Sequence, residues 1–331
     1  MSNRKFRNIL NVILSLLLGC GIIWWMYRSF DFSHIRDVLY DEMDWGMMLF
    51  SMVFGITAQL FRGLRWQQSL EPLGEHARKS TCIHGVFLSY ASSLIIPRIG
   101  EVMRCGVLSR YDKVSFAKSI GTVVTERIID SLLILLIVAI VIISQFGQFM
   151  VFFAKTGTNL SHFFGQFTLT GYIVTGICLV ITVIFLYWVW KKMSSYVHFR
   201  KIVNDILSGI KSIKSVRRKW LFVAYTLGIW VSYFLHFYIT FYCFSFTENL
   251  GITIALVAFI VGSIAVIVPT PNGLGPWHFA VKTILVLYGV SAVNGETFVL
   301  IVHTLQTALI PVLGLFSLIC LGLRKVEKRS Q

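Results

Sequence analysis

The chain has 331 residues, of which 56% are hydrophobic and only 14% charged, whereas ordinary soluble domains carry about 25% charged residues. That balance excludes a typical water-soluble fold. The net charge of +15 would raise nucleic acid as a partner of a soluble protein, but here the basic residues sit in short loops between apolar runs, so the charge describes membrane topology and no nucleic-acid partner is expected.

In chain order, apolar runs at residues 9–27, 45–61, 119–143, 171–190, 221–246 and 297–321 suit a hydrocarbon core, which takes about 20 helical residues to cross. The first follows Arg4, Lys5 and Arg7 and lacks a small-residue cleavage site, so it reads as an uncleaved span. Three shorter apolar pieces, 81–96, 253–268 and 279–290, end at proline or glycine. The piece at 81–96 has basic flanks on both sides and is expected to re-enter rather than cross. The other two meet at a proline- and glycine-rich break and form either two thin crossings or one hairpin. The fold class is therefore an all-α polytopic membrane protein with about six full transmembrane helices plus shorter re-entrant or broken helices, in a single integral membrane domain over residues 1–331. Interrupted elements in both halves, entering from opposite sides, are similar to the inverted-repeat bundles of many transporters.

Of the 30 lysines and arginines, 25 fall at the termini and in the loops 62–80, 98–118 and 191–220. Such residues are retained on the cytoplasmic side, which predicts cytoplasmic N- and C-termini and an outer acidic loop at 31–44, in a bacterial-type inner membrane. Within 191–220, Phe199, Val203, Ile206, Ile210 and Ile213 lie opposite Lys201, Asp205 and Ser208. That pattern predicts a basic amphipathic loop resting on the anionic leaflet.

Four stretches carry candidate chemistry. Arg62-Gly63-Leu64-Arg65-Trp66 ends the second span, and its arginines either snorkel to the interface or, at Arg65, meet a lipid phosphate. In Pro97-Arg98-Ile99-Gly100-Glu101-Val102-Met103-Arg104, proline and glycine break the helix. Arg98, Glu101 and Arg104 then recur every three residues, a compact basic site with one carboxylate whose guanidinium forks match phosphate oxygens. In Thr125-Glu126-Arg127-Ile128-Ile129-Asp130, Glu126, Arg127 and Asp130 share a helical face that runs into apolar sequence. Charges there are expensive and need a partner or a wet cavity. They form either an ion-pair cluster holding the re-entrant piece to this span or a headgroup or proton-coupling site.

The fourth stretch is Pro269-Thr270-Pro271-Asn272-Gly273-Leu274-Gly275-Pro276-Trp277-His278. Its prolines and glycines abolish regular helix and free backbone groups at membrane depth, which is tolerated only where they line a cavity or are buried in protein. His278 is a structural hydrogen-bonding residue or a titrating one. The six cysteines form no C-x-x-C pair. No Walker loop, dinucleotide fingerprint, zinc motif or nucleophile elbow is present, so the sequence offers no recognised catalytic constellation, metal site or cofactor.

Arg62-x-x-Arg65-Trp66, Pro97-Arg98-x-Gly100-Glu101-x-x-Arg104, Glu126-Arg127-x-x-Asp130 and Pro269-Thr270-Pro271-x-Gly273-x-Gly275 together resemble the lysylphosphatidylglycerol synthase transmembrane region, or flippase-like (UPF0104), family over about residues 45–321. In the best-known members this part is fused to a soluble aminoacyl-transferase domain, which this sequence lacks, and moves the lipid product between leaflets. The resemblance therefore implies a flippase-like protein that binds and translocates an anionic phospholipid or polyprenyl-phosphate-type lipid. The alternative is a membrane-embedded enzyme or partner subunit in lipid or lipid-linked sugar synthesis. Expected partners are membrane lipids and a separate lipid-modifying enzyme. The implied headgroup ligands are Arg98, Arg104, Arg127 and Arg65, with Glu101, Glu126, Asp130 and His278 balancing charge or coupling. Pro97, Gly100, Pro269, Pro271, Gly273 and Gly275 would form the broken-helix gate. The family's third motif carries a glutamate where this chain has His278. A carboxylate that met a cationic headgroup in relatives would leave this chain suited to a different lipid.

Overall fold

The computed structural model describes residues 32–96, 99–144, 215–268 and 270–323, together with Trp24 and Asn204. Apart from those two residues, the predicted spans 9–27 and 171–190, the loop 191–220 up to residue 214, and both termini lie outside the described residues, as do Pro97, Arg98 and Pro269.

Nine α-helices and no strand occur among the described residues. They are α1 (Phe32–Asp37), α2 (Trp45–Leu70), α3 (Lys79–Ile95), α4 (Ile99–Tyr111), α5 (Phe116–Ser144), α6 (Lys219–Tyr238), α7 (Gly251–Ala265), α8 (Pro276–Leu287) and α9 (Ala292–Gly322). Four helical stretches, Trp45–Leu73, Lys219–Cys243, Glu248–Ala265 and Ala292–Gly322, are long and apolar enough to cross a membrane. Local chemistry fixes several ends. Asp44 accepts from the Met47 amide at 3.0 Å and Ser291 from the Asn294 amide at 3.2 Å, so each side chain satisfies a first-turn donor. The last residue before Pro97, Ile96, is extended (φ −128°, ψ 113°), as the proline ring requires of its predecessor.

The short segments form two helical hairpins. In the first, α3 and α4 run antiparallel. The Asp112 carboxylate, just past α4, accepts from the Arg78 amide at 2.9 Å and from Thr81 Oγ1 at 3.2 Å, at the start of α3. Both ends thus lie on one side, and the hairpin returns to the side from which it starts, as the basic flanks of 81–96 predict. At the turn, Gly100 donates its amide to Ser93 Oγ at 3.3 Å, and a Cβ there would overlap the Ser89 carbonyl oxygen. Because that neighbour is backbone, Gly100→Ala is expected to destabilise the protein by about 3 kcal/mol or more. Thermal unfolding in detergent measures this, and an unchanged midpoint would show that the turn is not so tightly closed.

In the second hairpin, Gly262 near the end of α7 packs against Trp277 and Val281 near the start of α8. Residues 253–290 fold back on themselves as a helical pair, α7 against α8. Its turn carries Asn272, Gly273 and Gly275 at φ of 50°, 75° and 89°, left-handed backbone that glycine and asparagine tolerate best. Asn272 Nδ2 donates to Thr307 Oγ1 at 2.8 Å, which sets the turn beside the middle of the 31-residue α9. Pro311 lies inside α9, and its missing N–H leaves the residue-307 carbonyl without its helical donor beside that turn.

The two hairpins enter from opposite ends of α9. The base of the second is tied to the start of α9 by the Lys282–Glu296 ion pair. The first packs on the far end, where His84 Nδ1 meets Ser317 Oγ at 3.1 Å and Leu88 and Val107 cluster with Leu321. Helix α3 reaches the turn at Pro271–Gly273, so the hairpins meet partway along α9. A cluster of Phe237, Phe241, Phe244 and Phe298 fastens α6 to α9 beside this junction.

Candidate functional site

Helices α2, α4 and α5 bring the charged motifs into one buried network. Arg62 Nη1 donates to Asp130 Oδ2 at 2.8 Å, and Arg65 Nη1 to Asp130 Oδ1 at 2.7 Å. Arg65 Nε reaches Glu126 Oε1 at 3.4 Å, while Arg104 Nη1 donates to Glu126 Oε2 at 2.9 Å. Relative exposure is 3% for Arg62, 0% for Arg65, 1% for Arg104, 0% for Glu126 and 6% for Asp130. Snorkelling is thus excluded for Arg62 and Arg65. Helix α2 continues past residue 61 to Leu70, which carries both guanidiniums inward onto carboxylates more than sixty residues away. Arg104 also lies 4.6 Å from the Trp66 ring centroid, and Trp66 Nε1 donates to Thr122 at 2.9 Å.

Glu126 and Asp130 share a face of α5, as their spacing predicts, and both bind Arg65. Arg127 points elsewhere. Its Nε lies 2.5 Å from Glu101 on α4, and its Nη1 is 4.0 Å from Asp130. Through Arg104–Glu126 and Arg127–Glu101 the first hairpin is bolted to α5, which is the structural role open to the cluster. Charge does not cancel within it, however. Among the described residues three buried guanidiniums, Arg62, Arg65 and Arg104, face two buried carboxylates, Glu126 and Asp130, an excess of one positive charge. Arg62 Nε, Arg65 Nη2, Arg104 Nε and Arg104 Nη2 are buried without a hydrogen-bond partner among the described residues. An uncompensated charge in low dielectric is costly and favours an anion nearby.

Next to this network is a cavity of about 400 Å³ where the hairpins meet. Arg127, Tyr90 and Tyr233 line its side towards the charges, and the two tyrosine hydroxyls lie 2.6 Å apart. Behind them the Arg62 guanidinium carbon sits 5.8 Å from the Tyr233 ring. Asn272, Thr307, Gln306 and Gln59 supply polar groups, while Trp230, Phe259 and Trp277 supply apolar surface. Among the described residues no carboxylate lines this cavity. Arg65 and Arg104 do not line it and can act on an occupant only through their charge.

The broken segment forms one wall. His303 Nε2 lies 3.1 Å from the Asn272 carbonyl oxygen, and its ring is 4.4 Å from that of His278 and 5.1 Å from that of Trp277. Gly275 donates its amide to His278 Nδ1 at 3.4 Å, a structural bond that closes the turn, and His278 itself is 1% exposed. His303 and His236 line the cavity, yet neither belongs to a motif of the sequence. Only their helices bring them here. Among the described residues no three His, Cys, Asp or Glu side chains are grouped to hold a metal.

No curated protein and no solved structure matches the chain. The sequence profile described as Lysylphosphatidylglycerol synthase TM region matches residues 12–314. The chain therefore belongs to the lysylphosphatidylglycerol synthase transmembrane-region family, and it is a multi-pass membrane protein tied to lipid metabolism or transport.

Proposed function

We propose that the chain binds an anionic phospholipid or polyprenyl-phosphate-type lipid by its headgroup in the central cavity and carries it between the leaflets of a bacterial-type inner membrane. The observation that carries this reading is a cavity that no carboxylate lines among the described residues, at the junction of two oppositely entering hairpins, backed by buried arginines that outnumber the buried carboxylates described beside them. Its volume lies within the range of about 300–1,000 Å³ common for small-ligand sites, which suits a headgroup with acyl chains left outside. Arg127 presents a guanidinium to a phosphate, and Gln59, Asn272, Gln306 and Thr307 offer hydrogen bonds to its ester or sugar part. Arg65 and Arg104 contribute field rather than contact. Glu101 neutralises Arg127 until an anion competes for it, and the turns around Gly100 and at residues 270–275 supply the two gates.

Lipids copurified with the protein test the binding half of this reading by mass spectrometry. One anionic class should be enriched over the bulk membrane, and the enrichment should fall about tenfold in Arg127→Ala, the loss of one charged hydrogen bond. Bulk composition in both proteins would count against a headgroup site.

A further inference from the structure

A second pocket of about 680 Å³ lies at the opposite end of α2 from Asp44, away from the central cavity and on the basic, predicted cytoplasmic side. Three elements build it: the end of α2 with Gln67, Gln68 and Glu71, the entry to α3 with His76 and Lys79, and the start of α6 with Arg217 and Arg218. Among the described residues three fixed cations line it against one carboxylate. Lys79, Arg217 and Arg218 are exposed, and none of them makes an ion pair among the described residues.

The neighbouring carboxylates are already engaged. Glu75 holds Lys118 at 2.8 Å, Asp112 holds Arg78 at 2.6 Å, and Glu71 accepts from Gln67 Nε2 at 2.8 Å. Arg218, the N-cap residue of the 20-residue α6, places no side-chain acceptor on the first turn, so that helix start adds favourable potential for an anion. The pocket also has an inward polar anchor. Gln68 lines it, is only 6% exposed, and its Oε1 has no hydrogen-bond partner among the described residues, whereas buried carboxamides are normally satisfied.

We propose that this pocket is a second anion site, taking a phosphate ester that also carries a hydroxyl or ammonium donor, supplied either by a phospholipid headgroup or by a free phosphate ester. Arg217 and Arg218 take the phosphate oxygens, Lys79 adds a point charge, and Gln68 Oε1 accepts from the donor. A donor set beyond the phosphate separates such an ester from inorganic phosphate, whose hydroxyls sit on the phosphorus itself. The site shares no lining residue with the central cavity, so its failure would leave the cavity reading untouched.

Isothermal titration of the full chain in phosphatidylcholine nanodiscs tests it, with sn-glycerol 3-phosphate and inorganic phosphate as probes. Glycerol 3-phosphate should bind more tightly than inorganic phosphate. Arg217→Gln with Arg218→Gln should weaken it by at least about tenfold, and both positions are exposed enough to spare the fold. Gln68→Leu should abolish the preference between the two probes. In discs containing phosphatidylglycerol, suppressed binding of the probe would identify the lipid headgroup as the occupant, and equal binding a free ester. No binding of glycerol 3-phosphate in phosphatidylcholine discs, or unchanged binding in the double arginine variant, would overturn the proposal.

Discussion

Replacing Glu126 with glutamine is expected to leave little folded protein. Glu126 is the shared partner of Arg65 and Arg104, and without it three buried guanidiniums face one carboxylate. Breaking a buried pair from one side costs about 3–5 kcal/mol, a large part of the roughly 5–15 kcal/mol by which a typical domain is stable. Adding Arg104→Met to Glu126→Gln leaves Arg62 and Arg65 against Asp130, which restores the single excess positive charge. That double variant should recover part of the loss. Thermal unfolding and size-exclusion profiles of the purified variants measure the difference. A single variant as stable as the parent, or a double variant worse than the single, would contradict the assigned network.

Why these charges meet was only half legible in the sequence. The i, i+4 spacing of Glu126 and Asp130 showed that they share a face, and the cost of charge in an apolar helix showed that they need partners. Which arginines answer was hidden, because Arg62 and Arg65 stand 68 and 61 residues away from the carboxylates they bind. Read locally, two arginines at the end of an apolar run look like interfacial anchors. That the first hairpin returns to the side from which it starts was readable, since residues 81–96 have basic flanks on both sides. The hairpin at residues 251–287 was not, because length and hydropathy describe a short crossing and a re-entrant helix alike, and only the Asn272–Thr307 contact sets its depth. His236 and His303 carry no motif at all and become visible once α6 and α9 are packed around one cavity.

Filling that cavity is expected to stop transport without unfolding the protein. Ser263 on α7 lines it and, among the described residues, donates its hydroxyl to the Phe259 carbonyl at 2.7 Å within its own helix, a bond worth about 1 kcal/mol. In Ser263→Trp the indole enters open space rather than a packed core, so the usual overpacking penalty of about 1–3 kcal/mol is largely avoided. Headgroup space, by contrast, is removed. Lipid movement should fall at least about tenfold while the unfolding midpoint stays close to that of the parent. Leu315→Trp, at a position 61% exposed on α9, should change neither. Equal transport by Ser263→Trp would place the lipid route outside this cavity.

The central claim is most directly tested by the rate at which the purified chain in liposomes moves a fluorescent anionic phospholipid or polyprenyl phosphate across the bilayer, read by quencher accessibility. The account predicts crossing well above that of empty liposomes with the lipid's mass unchanged. Arg127→Ala should be slow, and Arg127→Lys intermediate because lysine keeps the charge and loses the fork. Crossing no faster than in empty liposomes, for both lipid classes and with a proton or sodium gradient imposed, would contradict it, as would a chemically altered lipid produced by the chain alone.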